Sequence, residues 1–505
     1  MAIEYQIDLT KEGRSYPHYW EMCVGSCHAA TVLREDVREH IRNAHRDCGF
    51  QYLRFHGLLD DDMSVVIQPY PFAPREISFY NIDCVFDFLL DTGMKPFVEI
   101  GFMPEALASG TATLFHYKAN RTLPKDFDEW ADFIRQFIRH LLERYGKEEV
   151  SQWFFEVWNE PNLSYFFEGK QEDYYKLYQV TAEAIKDVDK DLYVGGPATS
   201  NNSWITSFLD FCEKNQVPVD FVTTHHYPSD DMLTSFGQND GSEFEFKMPT
   251  PEELDKMSEE ERKKLFASFG GGRENKNDRD VLYQMTKKAK EQAGNYPLYY
   301  TEWNGSTEFD TCYQSAFIAH TLAHNENLVE GYSFWTVTDI FEEMGMIGRP
   351  FKNAFGMQTN HGIPKPSYRM FELLHRAGDK RLDVTGEPHR TAEVFALKGE
   401  NKVSVFVYNH DIVRRNISAE EIKLTFQGPV RAVRRTIIDE HHCNPKAAWE
   451  AMGSPDYLSK EQEETIRQAS KLQYEELVVA GEGKENWNIT FTAEPESVTV
   501  FEVEL

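Results

Sequence analysis

From about residue 20 to 377 the apolar positions follow two alternating rhythms. Short β-branched and aromatic runs give way to longer stretches with the three-to-four-residue spacing of amphipathic helices. Eight such pairs can be counted. The strands are expected to end near Gly25, His56, Gly101, Asn159, Pro197, His226, Trp303 and Thr336, with helices following at, for example, 126–145 and 173–186. Eight strand–helix units are what a closed (β/α)8 barrel requires, and in that fold the chemistry sits at the C-terminal ends of the strands. After His375 the rhythm shifts to strand-like alternation over 391–397, 402–408, 421–426, 431–438, 487–492 and 497–503, which predicts a β-sandwich. The opening Ile3-Glu4-Tyr5-Gln6-Ile7-Asp8-Leu9 alternates as well and is expected to join that sandwich. The predicted organisation is an N-terminal strand within 1–14, an α/β barrel over 15–377, and an all-β sandwich over 378–505 that carries a helical insertion at about 459–471.

Two polar segments interrupt the pattern, one at about 228–278 and one between Asp439 and Glu476. In the first, Thr250-Pro251-Glu252-Glu253 and Ser258-Glu259-Glu260-Glu261 read as capping boxes and Gly270-Gly271-Gly272 as a terminator. It follows the sixth strand, so it belongs on the face where the chemistry lies. In the second, Ser459-Lys460-Glu461-Gln462 opens a helix.

A length of 505 residues accommodates a barrel plus one accessory domain. The 14% aromatic content exceeds what packing alone requires, and a carbohydrate site would use some of the surplus. A net charge of −30 repels phosphate backbones and anionic lipid, so nucleic acid and membrane are excluded as partners, whereas a neutral sugar is indifferent to that field. Seven cysteines without a C-x-x-C pair indicate neither a disulfide framework nor a zinc module. With no basic-then-apolar leader at the N-terminus, a cytoplasmic protein is expected.

The strongest chemical signal is Trp153-Phe154-Phe155-Glu156-Val157-Trp158-Asn159-Glu160-Pro161-Asn162, an apolar strand that delivers an amide and a carboxylate where Pro161 stops the ladder. Pro297-Leu298-Tyr299-Tyr300-Thr301-Glu302-Trp303-Asn304 repeats the arrangement on the seventh strand. Two carboxyl groups ~5–5.5 Å apart suit double displacement at a sugar, whereas ~6.5–9.5 Å would admit a water for inversion. In the first case Glu160, protonated, donates to the glycosidic oxygen while ionised Glu302 attacks the anomeric carbon. Glu160 then acts as base on water, and the charge on Glu302 is expected to hold its pKa up. Other polar groups fall at strand ends: Arg54 and His56, Glu99, His225, His226 and Tyr227, and Trp335 followed by Asp339, Glu342 and Glu343.

At these residues the chain resembles glycoside hydrolase family 39, and within it the bacterial β-D-xylosidases. The likeness runs through His56-Gly57-Leu58-Leu59-Asp60, Trp158-Asn159-Glu160-Pro161-Asn162, Asp220-Phe221-Val222-Thr223-Thr224-His225, Thr301-Glu302-Trp303-Asn304, Phe334-Trp335-Thr336 and Phe341-Glu342-Glu343. It continues through Asp439-Glu440-His441 and Asn444-Pro445 to Ser459-Lys460-Glu461-Gln462. The resemblance implies a retaining exo-glycosidase with its proton donor at Glu160, its nucleophile at Glu302, and neither metal nor cofactor. It further implies a xylose-sized pocket drawn from His56, Phe115, Asn159, His225, Tyr227, Trp335, Glu342 and Glu343, and a homo-oligomer, often a tetramer. The long polar insertion and His226 depart from the family pattern, and both are expected near the pocket entrance. Competing readings are the same machinery acting on an α-L-arabinoside or β-glucoside, a non-catalytic sugar-binding barrel, and a metal-dependent hydrolase built on His56, His225 and His226. Against the last, adjacent histidines on a strand face opposite ways.

Overall fold

The computed structural model describes residues 2–70, 72–230, 256–262, 277–343, 345–346, 348–412, 417–479 and 486–505. Most of the insertion after the sixth barrel strand, including the Thr250 capping box and the Gly270-Gly271-Gly272 terminator, lies outside the described residues, as does its role. Within it, Ser258 and Glu261 do form the reciprocal capping pair, the Ser258 backbone N–H donating to Glu261 Oε2 at 2.7 Å and the Glu261 N–H to Ser258 Oγ at 3.2 Å.

Eight parallel strands close into a barrel: Cys23–His28, Tyr52–His56, Lys95–Ile100, Phe154–Val157, Tyr193–Thr199, Phe221–His226, Leu298–Trp303 and Gly331–Phe334. Helices follow where the helical spacing places them. Phe127–Tyr145 begins at Asp126, whose carboxylate accepts from the N–H groups of Asp128 and Glu129. The interior is layered. At the N-terminal end Cys23, Phe97 and Phe221 pack with Tyr52, Phe154 and Tyr299 as an apolar plug, the Phe97 and Phe154 rings stacked at 5.0 Å. Two residues further along their strands, Arg54, Glu99, Glu156, Thr223 and Thr301 form a buried polar layer. The site stands above it.

The remaining strands build a sandwich of a seven-stranded and a four-stranded sheet. Ile3–Asp8 lies in the smaller sheet, parallel to Glu420–Gln427. The central strands of the larger sheet are buried on both faces. Along Ala392–Lys398, Phe395 and Leu397 join the barrel's core, whereas Ala392 and Ala396 join the core between the sheets. Lys402–Asn409 repeats this, with Phe406 and Tyr408 toward the barrel and Val403, Val405 and Val407 away from it. The helix Tyr313–His324 is pressed between barrel and sheet, and 11 of its 12 residues are buried. Ser459 caps Lys460–Ala469 through a reciprocal bond with Gln462. Among the described residues no helix is long and apolar enough to cross a membrane.

Candidate active site

Glu160 lies just past the fourth strand in left-handed backbone, with φ 43° there and 72° at Trp158. Non-glycine residues held this way cost of order 1–3 kcal/mol each and persist where surrounding contacts over-determine them. Those contacts are visible. The Trp158 N–H donates to Ile100 O at 3.1 Å and the Glu160 N–H to Ala198 O at 2.8 Å, while the Trp158 indole packs outward on Phe102 and Phe167. The turn thereby sends Asn159 and Glu160 into the mouth of the barrel.

Glu302 reaches the same space by a different device. Strand alternation after Tyr299 and Thr301 would send residue 302 outward. The pairing register shifts here on both sides, between Thr224 and His225 on one neighbour and between Tyr300 and Trp303 on the other. The irregularity lets Thr301 and Glu302 both project inward, the re-aiming that bulges beside active sites provide. Thr301 Oγ1 then donates to Glu156 Oε1 at 2.8 Å, and Glu302 Oε1 accepts from Arg54 Nη1 at 2.8 Å.

Donor atoms of Glu160, His225 and Glu302, one from each, lie within 4.8 Å of one another. His225 bridges the two acids, its Nδ1 3.0 Å from Glu160 Oε1 and 3.6 Å from Glu302 Oε2, while its Nε2 faces Thr301 Oγ1 at 3.0 Å. The Tyr227 phenol donates to Glu302 Oε2 at 3.1 Å. His56 sits 3.5 Å from Glu302 Oε1 and is held on its other side by Glu99 at 2.7 Å. Trp335 lies 4.7 Å from the His56 ring, and it can lie there because residue 25 is glycine: a Cβ at that position would be 2.4 Å from the indole. The buried Nδ2 of Asn159 has no hydrogen-bond partner within the protein, a donor left over at the mouth of the barrel.

The electrostatics follow from one buried cation serving several acids. Arg54, fully buried, holds Glu156 Oε2 at 2.6 Å, Glu99 Oε2 at 2.9 Å, Glu302 Oε1 at 2.8 Å and Asn159 Oδ1 at 3.0 Å. Burial raises the Glu99 carboxyl well above its ordinary range, and burial together with the charges of Glu302 and Glu160 does the same to Glu343. Burial also lifts Glu160 to about 7; Arg54 and Ser200 oppose the rise and Glu99 adds to it. This amends the expectation from sequence: dehydration, rather than the charge on Glu302, is the main cause. Both site histidines are kept neutral by burial, His56 down to about 3 and His225 to about 4. Removing the shared cation strands these acids, so Arg54→Met is expected to cost about 3–5 kcal/mol of unfolding free energy, read as a lower urea midpoint with an unchanged slope.

Of the residues singled out in the sequence, His56, Asn159, His225, Tyr227, Trp335 and Glu343 gather around Glu160 and Glu302. Two stand further out. Glu342 faces His28 and Arg34, each at 3.8 Å, and Phe115 packs among Tyr117, Tyr165 and Phe166, the last of these 6.5 Å from His56. His226 is not at the entrance. It points out of the barrel, stacked on Tyr300 at 3.8 Å and bonded to the Tyr332 hydroxyl, so its departure from the family pattern is a matter of wall packing. Facing away from His225, it also leaves the three-histidine metal reading without a common site. Sequence reasoning noted Arg54 and Glu99 but missed their union with Glu156. The available signal was charge inside apolar strands, since a buried ion must find a partner.

A family model described as glycosyl hydrolases family 39 matches residues 3–270 and 272–484. A β-xylosidase of Caldicellulosiruptor saccharolyticus is 44% identical over 469 residues, 91% of this chain and 90% of that protein. A β-xylosidase of Geobacillus stearothermophilus is 33% identical, spanning 99% of this chain and 95% of its own. Among solved structures, a GH39 β-xylosidase from Caulobacter crescentus matches with a TM-score of 0.80 at 28% identity, both chains fully covered.

Proposed function

Because the chain belongs to glycosyl hydrolase family 39, we propose that it releases terminal β-D-xylose from xylo-oligosaccharides by double displacement, with Glu160 as acid/base and Glu302 as nucleophile. The observation that carries the stereochemical reading is the approach of Glu160 and Glu302 oxygens to within 4.8 Å. So close an approach of one oxygen from each acid favours the ~5–5.5 Å carboxyl pair of double displacement over the ~6.5–9.5 Å pair that admits a water. Arg54, His56 and Tyr227 hold Glu302 by direct contact and so aim its oxygens at the anomeric carbon. The glycosidic oxygen takes its proton from Glu160. Once the ester on Glu302 has formed, Glu160, now ionised, takes the proton of the attacking water and the configuration is restored.

Substrate choice is tested by kinetics on aryl β-xyloside, α-L-arabinoside and β-glucoside. The xyloside is expected to give the largest kcat/KM, and a glucoside that matches it would overturn the xylose assignment. The margin should be modest, since excluding one hydroxymethyl group supplies only ~1–3 kcal/mol.

The pH profile has a definite sign. Glu160 must carry its proton to act on the free enzyme, and its pKa stands near 7, so kcat/KM is expected to fall as pH rises through about 7. In Glu160→Ala, assayed on an activated aryl xyloside, that limb should be absent.

Seven free cysteines favour a reducing, cytoplasmic setting. A homo-oligomer is supported by the exposed Tyr70 and Phe72 rings, stacked at 5.4 Å on the loop after the second barrel strand. Sedimentation of the purified protein at several concentrations tests it, and a single monomer peak would rule it out.

A further inference from the structure

Away from the active site, where the barrel meets the sandwich, three potential metal ligands converge. His320 and His324 lie one turn apart on the same face of Tyr313–His324, and Glu393 comes from the facing strand Ala392–Lys398. Glu393 Oε2 is 3.4 Å from His320 Nδ1 and 2.9 Å from His324 Nε2, and one donor atom of each residue lies within 4.8 Å of those of the other two. Zinc binds nitrogen and oxygen at about 2.0–2.2 Å, so its tetrahedral ligands stand roughly 3.3 Å apart. The two short separations bracket that value.

The surroundings match as well. Asp280 Oδ1 lies 3.0 Å from His320 Nε2, while Nδ1, on the Glu393 side of the ring, is 3.3 Å from the Tyr408 hydroxyl. A carboxylate behind a ligating imidazole is the usual outer support of a metal site. Arg279 engages the other oxygen of Glu393, Oε1, and leaves Oε2 facing the histidines; the Tyr408 phenol also donates to Oε2. Asp280 and Glu393 thus set two carboxylates against the His320 ring, with one guanidinium, that of Arg279, on Glu393. His320 is 2% exposed, Glu393 25% and His324 34%, so the cluster is reachable from solvent on the His324 side.

We propose that His320, His324 and Glu393 form a zinc-type divalent metal site, completed by water, that clips the barrel helix to the sandwich sheet. Binding would expel any proton on His320 Nδ1 to solvent and form two metal–nitrogen bonds and one metal–oxygen bond, with no redox change. The role is structural, since none of these residues is among the groups placed around Glu160 and Glu302.

The test uses the full-length protein, stripped with a chelator and dialysed. Equilibrium dialysis against zinc chloride is expected to give a site, one per chain, whose occupancy raises Tm in even steps for each tenfold rise in free zinc above Kd. Magnesium chloride should give no such rise. Cobalt chloride should give the visible absorption of a low-coordinate Co2+ centre. His324→Gln, at a partly exposed position, should fold and lose the zinc response. Asp280→Asn should weaken zinc binding by roughly 10–100-fold without abolishing it, the grading expected of an outer-sphere partner. Zinc binding unchanged in His324→Gln, or no saturable zinc binding in the wild type, would overturn the proposal. So would a zinc response that disappears in Glu302→Ala, because it would move the ion to Glu160, His225 and Glu302.

Discussion

Glu302→Ala is expected to abolish turnover on every glycoside, with kcat down by at least about 10^4-fold, the scale on which removal of a covalent nucleophile is felt. The loss should be chemical. Arg54 keeps Glu156, Glu99 and Asn159 as partners in the variant, so the fold should survive, which near-native thermal unfolding would confirm. Azide is small enough to occupy the vacated space and attack the anomeric carbon directly. With an activated aryl β-xyloside the product should be the α-glycosyl azide, because a single displacement inverts the centre. Substantial turnover without azide, or a β-azide, would remove Glu302 from the nucleophile's role.

The second large effect is selective. Glu160→Ala is expected to lower kcat/KM on xylobiose by roughly 10^2–10^4-fold, the usual yield of a positioned acid, yet leave the first step with a dinitrophenyl xyloside nearly intact, since that leaving group departs without a proton. Loss of the base then slows hydrolysis of the glycosyl-enzyme, so the dinitrophenyl substrate should show a burst and a depressed steady state. Azide should accelerate that second step and yield the β-glycosyl azide, the opposite anomer to that from Glu302→Ala. Equal losses on good and poor leaving groups would assign the proton to another residue. Together the two azide products separate the roles of acids whose oxygens lie within 4.8 Å of each other.

The barrel was legible in the sequence because its eight strands are short and alternate with helices, one of which opens on a clear start signal at Asp126. Both glutamates were legible for a related reason, since each comes at the C-terminal end of an apolar run, Glu160 just before Pro161 stops the ladder and Glu302 one residue before its strand ends. What could not be read was long-range. Arg54 meets Glu156 across 102 positions and Glu302 across 248, and no local pattern says which buried acid a buried guanidinium will find. The inward turn of Glu302 depends on a register irregularity with its neighbours, whereas strict alternation along Tyr299, Thr301 and Trp303 would have hidden it in the wall. His226 was misplaced by its position beside His225, although alternation applied there without interruption. Glu342 and Glu343 are adjacent in sequence, but one faces His28 and Arg34 at the rim while the other is buried within reach of both acids' charges.

The central claim is that one of these acids becomes covalently joined to the sugar while the other manages the proton. Incubation with a 2-fluoro-xyloside bearing an activated leaving group, followed by proteolysis and mass spectrometry, tests it most directly, because the fluorine slows hydrolysis of the intermediate. The account predicts stoichiometric, time-dependent inactivation with a single fluoroxylosyl adduct on the peptide that holds Glu302. An adduct on any other residue, or full activity with no adduct at saturating reagent, would contradict it.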